Sequence, residues 1–188
     1  MKKIITGICF ILAVLFSLNF SWAGGFPFSL DSSGRAKFSI PFGGKYDYSN
    51  VLVRRAVDGD TLVLENNERV RLIGIDTPEI HESDKLYKDS QRSQEDVKTI
   101  KALGMRSYAF TKKLVEGKRV RLEFDVDKHD RYDRLLAYVY LKDGTFVNAK
   151  IVEEGYASLM TIAPNVKYAD LFLKLYQEAR NNRRGLWK

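Results

Sequence analysis

Residues 51–75 read VLVRRAVDGDTLVLENNERVRLIGI, and this stretch decides the fold. Apolar runs rich in Val, Leu and Ile alternate there with two turn signals, Asp58-Gly59 and Asn66-Asn67. The spacing predicts three strands, at 51–57, 61–65 and 69–75. Because the turns between them are short, we predict that the three strands form an antiparallel meander.

Two more strands follow after a helical region. Residues 119–126 alternate strictly between charged and apolar side chains, which is the period of a strand with one face in water. Residues 135–141 are apolar on both faces and therefore predict a more buried strand. Five short strands favour a small barrel, and the five-stranded OB fold is one such barrel. We predict a five-stranded antiparallel β-barrel of the OB-fold class with about three helices, a β-rich α+β domain.

Three segments carry helical signals. Ser93 and Asp96 have the spacing of a capping box, and an apolar stripe then runs to Gly117, with Gly104 placed to kink or split the helix. The other two predicted helices lie at 146–154 and 168–179. Residues 80–92 carry charges of both signs and predict a loop.

The amino-terminal stretch has the pattern of a secretory signal. Two lysines precede an apolar run over 4–20, and small residues end at Ala23. We expect cleavage after Ala23, and contact with a membrane only if the signal stays in place as an anchor. The chain then divides into a signal peptide (1–23), a linker or extended arm rich in Gly, Ser and Phe (24–47) and one folded domain (48–188).

Composition excludes several classes of protein. The chain has 188 residues and a single cysteine, Cys9, so neither a disulfide-dense scaffold nor a cysteine zinc site is possible. Its 31 Lys+Arg against 24 Asp+Glu give a net charge of +7. Loss of the signal removes two lysines, which leaves 29 basic against 24 acidic residues, or +5. This excess is compatible with DNA, RNA or a membrane surface and selects none of them.

Acidic and arginine side chains group in three motifs at strand ends. The motifs are D-G-D-T at 58–61, R-L-I-G-I-D-T-P-E at 71–79 and D-R-Y-D-R at 130–134. Grouped carboxylates hold hard cations, and arginines clamp phosphate, so the combination indicates metal-assisted phosphoryl chemistry. Each motif alone is also explained by a hairpin turn, a helix start or an exposed charge pair.

Taken together, the motifs resemble the thermonuclease family, the staphylococcal-nuclease-like secreted calcium-dependent nucleases. The resemblance extends over residues 51–187 and includes L-A-Y-V-Y at 136–140 and the closing G-L-W at 185–187. It implies hydrolysis of phosphodiester bonds in DNA and RNA with 3′-phosphate products, outside the cell or in the periplasm. DNA and RNA are then the substrates, and we expect a monomer with no stable protein partner.

The resemblance also implies roles for single residues. Asp60 and Asp76 would be carboxylate ligands of Ca²⁺, and Thr77 would lend its backbone carbonyl. The implied catalytic residues are Arg71, Glu79 and Arg134. The arginines would hold the phosphate and stabilise charge, and Glu79 would act as general base or position the attacking water. Asp58 would lie in the outer shell of the metal.

The sequence departs from the family pattern at Asp133 and at residues 158–163. Asp133 stands where the family has glycine, and we expect a carboxylate there either to tune the position of Arg134 or to compete with the substrate. Residues 158–163 contain none of the tyrosines that stack on a nucleotide base. Tyr132, Tyr138 and Tyr140 are predicted to pack on the barrel.

The alternative functions are a non-catalytic OB-type module that binds nucleic acid and a calcium-stabilised envelope protein.

Overall fold

The computed structural model describes residues 28–30, 36–38, 46–81, 83–94 and 96–188. The predicted signal peptide and most of the predicted arm lie outside these residues. Internal contacts divide the chain into two units, Met1–Tyr46 and Asp47–Lys188. In the first unit, strands β1 (Phe28–Leu30) and β2 (Ala36–Phe38) pair in antiparallel fashion.

The second unit is built on a closed barrel. Its strands are β3 (Val51–Ala56), β4 (Thr61–Leu64), β5 (Arg69–Leu72), β6 (Gly74–Asp76), β7 (Arg119–Glu123), β8 (Leu135–Leu141) and β9 (Ser158–Met160). The barrel order is β3-β4-β5-β8-β7, and β3, β4 and β5 form the predicted antiparallel meander. Its interior is filled by fully buried aliphatic side chains such as Val53, Leu62, Val70 and Val139.

The expectation of a wholly antiparallel barrel is wrong at one pair of strands. β5 and β8 run parallel, with Val70 opposite Leu135. The reason is geometric, because strand directions cannot alternate all the way round a closed ring with an odd number of strands. The other four pairs of the five-stranded ring are antiparallel, so the single parallel pair closes the barrel.

The strand predicted at 69–75 is in fact two strands that separate at Ile73. Gly74 has φ +83°, and a Cβ at this position would collide with the ring of Phe172. The chain therefore leaves the barrel, and β6 pairs with β9, a short strand that the sequence did not predict. Asn148 is fully buried at this break and spans it by donating to the carbonyl of Ile73 (3.0 Å) and accepting from the amide of Val139 (3.0 Å).

Four α-helices surround the barrel in the described part of the chain. They are α1 (Asp84–Ser93), α2 (Val97–Val115), α3 (Val147–Glu153) and α4 (Ala169–Asn181), followed by a 3₁₀ turn (Gly185–Trp187). The three predicted helices are confirmed as α2, α3 and α4. Within the described residues, no helix combines the length and the apolar character needed to cross a membrane.

The loop predicted at 80–92 is wrong, because α1 occupies most of it. Ser83 caps this helix by accepting the amide of Leu86 (3.2 Å), and Leu86 is fully buried. Ser93, predicted to cap α2, instead ends α1. The cap of α2 is Asp96, which accepts the amide of Thr99 at 2.8 Å.

Helix α2 runs unbroken through Gly104, so the helix is not split at this residue. A Cβ at this position would lie 2.7 Å from the carbonyl oxygen of Pro78 and 2.8 Å from that of Glu79. Glycine is therefore present because the helix passes directly against the backbone of Pro78 and Glu79. This contact fixes the segment that carries Glu79 on the outside of the barrel.

Candidate active site

The three motifs of the sequence meet at one cavity of about 1090 Å³. Its lining includes every residue that the sequence predicted for catalysis or metal binding: Arg71, Glu79, Arg134, Asp60, Asp76 and Thr77. Asp58 lines it as well. These residues come from the β3–β4 turn, from β5, from the end of β6 and from the loop before β8, so residues far apart in sequence share one site.

Asp60 is the most deeply held acid of the site. It is 5% exposed, and its Oδ2 accepts both the amide (2.9 Å) and the hydroxyl (3.0 Å) of Thr77. A Cβ on Gly59 would lie 2.6 Å from the side chain of Thr77, so only glycine allows this close approach. Gly59 is thus required by packing between two motifs.

Arg71 lies between two carboxylates. One side of its guanidinium forms an ion pair with Asp60, and Nη2 donates to Oδ1 of Asp76 at 2.9 Å. Burial alone disfavours the charged form, but the carboxylates of Asp60, Asp76 and Asp58 outweigh burial and raise the pKa of Arg71. The site therefore holds a permanent, oriented cation next to its acids.

Asp58 makes the acidic side of the site more negative than Arg71 can balance. Burial, together with the charge of Asp60, raises the pKa of Asp58 to about 6. Three carboxylates then share one guanidinium, a donor set that suits a hard divalent cation such as Ca²⁺. Among the described residues, no three acidic, histidine or cysteine side chains converge into a ready-made metal cage. The fit is to a site with two protein carboxylates, in which water or substrate oxygens supply further ligands.

Arg134 is fixed by Asp130, the first residue of the third motif, for which the sequence predicted no role of its own. Oδ2 of Asp130 accepts Nε of Arg134 at 2.7 Å and lies 2.6 Å from Nη2, while Oδ1 accepts the backbone amide of Arg134 at 3.0 Å. The sequence pointed to Asp133 as the carboxylate that acts on Arg134. Asp133 instead forms the turn, with φ +60° and its amide 3.0 Å from the carbonyl oxygen of Asp130. This left-handed backbone explains why glycine suits the position.

The predicted packing role is wrong for one of three tyrosines. Tyr132 is 65% exposed at the cavity, and Arg131 and Arg134 lie over its ring. Tyr138 is 1% exposed in the core. Tyr140 stacks on Phe146, with the ring centroids 4.6 Å apart. These two therefore pack as predicted.

Several lining residues gave no signal in the sequence. Met160 and Ile162 are exposed at the cavity, and Lys88 reaches it from α1, which was predicted as a loop. Asn165 joins two of the walls, because its amide exchanges hydrogen bonds of 2.9 Å with the backbone amide and carbonyl of Asp127. Only contact across the fold reveals these positions.

A closed five-stranded barrel with paired arginines and carboxylates at one cavity defines an OB-fold protein equipped to bind phosphate esters. The chain belongs to the staphylococcal nuclease family, since the family described as "Staphylococcal nuclease homologue" matches residues 69–188.

Relatives match over the same region and beyond it. The chain is 34% identical to a thermonuclease of Staphylococcus intermedius, over 100% of this chain and 99% of the relative. It is 28% identical to a thermonuclease of Staphylococcus hyicus, with the same coverage. It is 35% identical to the endonuclease YncB of Bacillus subtilis, over 73% of this chain and 61% of that protein.

We predict that Asp58→Asn stabilises the metal-free protein at neutral pH. The folded state raises the pKa of Asp58 from 3.8 to about 6, so ionisation above that pH destabilises the fold. Asparagine keeps the oxygen that accepts the Asp60 amide and removes the charge. Urea unfolding in EDTA at pH 8 should show a gain of at most about 3 kcal/mol. The gain should shrink as the pH falls through 6 and vanish near pH 4; a gain that persists there would contradict the assignment.

We also predict that Asp133→Ala destabilises the domain while Asp133→Gly does not. The left-handed backbone at this position disfavours a Cβ, and alanine lacks the short polar side chain that makes aspartate tolerable there. Denaturant unfolding should show a loss of about 1 kcal/mol for alanine and no loss for glycine. Equal stability of the two variants would show that the turn is not strained.

Proposed function

We propose that this protein is a calcium-dependent nuclease that hydrolyses phosphodiester bonds of DNA and RNA and leaves 3′-phosphate ends. The observation that carries the proposal is the Arg71 guanidinium held between Asp60 and Asp76, in the cavity that Arg134 and Glu79 also line. The names of the relatives, thermonuclease and endonuclease, support a nuclease.

The two arginines would offset the negative charge of the phosphodiester and of its transition state. A phosphodiester is an anion and gains further charge in the transition state, so fixed positive groups accelerate its hydrolysis. Asp60 and Asp76 orient Arg71, and Asp130 orients Arg134, before any substrate arrives. Two planar guanidinium groups can each meet two phosphate oxygens, which a lysine cannot do.

Ca²⁺ is the cofactor in this proposal. Asp60 and Asp76 would hold it through carboxylate oxygens, and Thr77 through its backbone carbonyl. When bound, the ion supplies positive charge beside the phosphate. The surplus of carboxylates around Arg71 supports a cation at this place.

Glu79 is the residue that we assign to the attacking water. Its Oε1 accepts the backbone amides of Ile80 (3.1 Å) and His81 (3.3 Å), which hold the carboxylate in place. From there Glu79 orients the water or takes its proton, while the bond from phosphorus to O5′ breaks and the phosphate stays on the 3′ oxygen. Arg134 stabilises the charge that develops on the departing oxygen.

Two other functions share part of the same observations. A non-catalytic OB-type module would bind nucleic acid with the same barrel, and a calcium-stabilised envelope protein would use only the acids. A structural protein does not account for two arginines that are each fixed by carboxylates within one cavity. Binding of nucleic acid alone does not account for the acids Asp60, Asp76 and Glu79 in the same cavity. We therefore place the enzyme first, acting as a monomer without a stable protein partner.

The decisive test compares Arg71→Lys with Arg69→Lys in the purified full chain. Arg69 lies two residues earlier on β5 and is exposed outside the cavity, so it is a matched control. With Ca²⁺ and either DNA or RNA, Arg71→Lys should lower kcat about 100-fold, because it removes a preorganised donor pair. Arg69→Lys should match the unchanged protein, and EGTA should abolish cleavage by both.

The other outcomes separate the three functions. Binding of DNA without cleavage, with or without Ca²⁺, would support the module. A calcium-dependent rise in melting temperature with neither binding nor cleavage would support the structural protein. Products that polynucleotide kinase phosphatase does not dephosphorylate at the 3′ end would contradict the proposed chemistry.

We further propose that the protein is exported and that residues 1–23 are removed. The basic start, the apolar run and the small residues before Gly24 support this proposal. Intact mass spectrometry of the periplasmic and extracellular fractions should find a chain that begins at Gly24. A full-length chain in the membrane fraction would instead show that the segment serves as an anchor.

A further inference from the structure

The helix that the sequence did not predict contributes to the cavity. α1 is anchored by the fully buried Leu86 and packs against α2. Lys88 follows two residues later, so its side chain leaves the helix on a different side from Leu86. It is exposed and lines the cavity, together with Pro78 and Glu79 of the preceding segment. Lys88 therefore lies at the rim of the site and not at its floor.

The charges of the cavity distinguish Lys88 from the other basic residues. Among the residues that the structure describes, six acids line the cavity against four basic side chains, which are Arg71, Lys88, Arg131 and Arg134. Arg71 and Arg134 are paired with carboxylates, and Arg131 donates to the hydroxyl of Tyr132. Within the described part of the chain, no carboxylate forms an ion pair with Lys88. Its charge is available to a ligand.

We propose that Lys88 binds a backbone phosphate next to the one that is cleaved, and so favours polynucleotide chains over substrates with a single phosphodiester. The proposal rests on the proposed nuclease function. Arg71 lies on β5 at the floor and Lys88 on α1 at the rim, and a nucleic-acid strand carries a phosphate at every nucleotide, so the two cations can contact different phosphates of one strand. Because the lining holds more acids than bases, a strand that enters meets repulsion, and a cation at the rim offsets it.

A lysine suits this task. Its ammonium is a compact point charge on a flexible stem, which attracts a phosphate without demanding one orientation or one base. Phosphate contacts of this kind position the strand and carry no sequence information. The expected consequence is a contribution to KM for long chains and to the salt dependence of binding.

The test compares Lys88→Ala, Lys88→Arg and the control Lys174→Ala in the full chain. Lys174 is an exposed lysine in the middle of α4, outside the cavity lining, so its loss changes net charge and helix content in the same way. Two substrates are used with Ca²⁺: a long single-stranded DNA and a nucleoside p-nitrophenyl phosphodiester, which has no flanking phosphate. DNA binding is measured separately by fluorescence anisotropy in EDTA over a series of salt concentrations.

For Lys88→Ala we expect the ratio of the two KM values, DNA over the small ester, to rise about threefold to fivefold. The slope of log binding constant against log salt should fall by about 0.7, the value for one phosphate contact on a single strand. Lys88→Arg should restore both quantities, and Lys174→Ala should change neither.

Three outcomes would overturn the proposal. In the first, Lys88→Ala gives the same result as Lys174→Ala in both measurements. In the second, Lys88→Ala weakens hydrolysis of the small ester as much as that of DNA, which would mean that the substitution disturbs the site itself. Unchanged salt dependence would also exclude the contact. If the unaltered protein cleaves neither substrate, the nuclease proposal fails, and the binding measurement in EDTA still decides the role of Lys88.

Discussion

The buried carboxylate of Asp60 is the constraint on which the fold and the site both depend. A charge that is 5% exposed is costly unless it is fully paired, and Asp60 is paired through Thr77 and Arg71. Those partners lie at the end of β6 and on β5, so satisfying one carboxylate draws the first two motifs together. The site is thus formed by the same contacts that hold the β3–β4 turn against β5 and the end of β6.

This dependence explains the glycines and the break around the site. Gly59 allows the β3–β4 turn to touch Thr77, and Gly74 lets the chain leave the barrel beneath Phe172. Asn148 then satisfies the carbonyl of Ile73 that the broken strand exposes. None of these residues carries charge, yet each determines where Asp76 and Thr77 lie relative to Arg71.

The sequence predicted what local periodicity encodes. Alternation along 119–126 and the turns at Asp58-Gly59 and Asn66-Asn67 place the barrel strands correctly. The strand predicted at 119–126 ends earlier than expected, at Glu123. Ring closure is a global property, so the parallel β5–β8 pair had no local signal. β9 is three residues long and mostly exposed, and it depends on β6 for its pairing. α1 was not predicted because its segment is mostly charged and polar. Its one buried anchor, Leu86, does not form an apolar stripe with helical spacing.

The site likewise combines residues that local sequence predicts with residues that only the fold brings in, and together they set the charge that a polyanion meets in the cavity. Residues such as Arg71 and Asp76 stood out because acids and arginines group there at strand ends, and the family resemblance implied their roles. Asp130 and Lys88 instead depend on turn and helix geometry that the sequence did not reveal. The described part of its lining has six acids against four bases, and this excess of negative charge repels phosphate. The divalent cation of the proposed function would cancel that excess of negative charge at the floor, and Lys88 would lower the repulsion at the rim. On the proposed function, binding of a divalent cation and entry of a strand would therefore be electrostatically linked, since each supplies charge of the sign that the other requires.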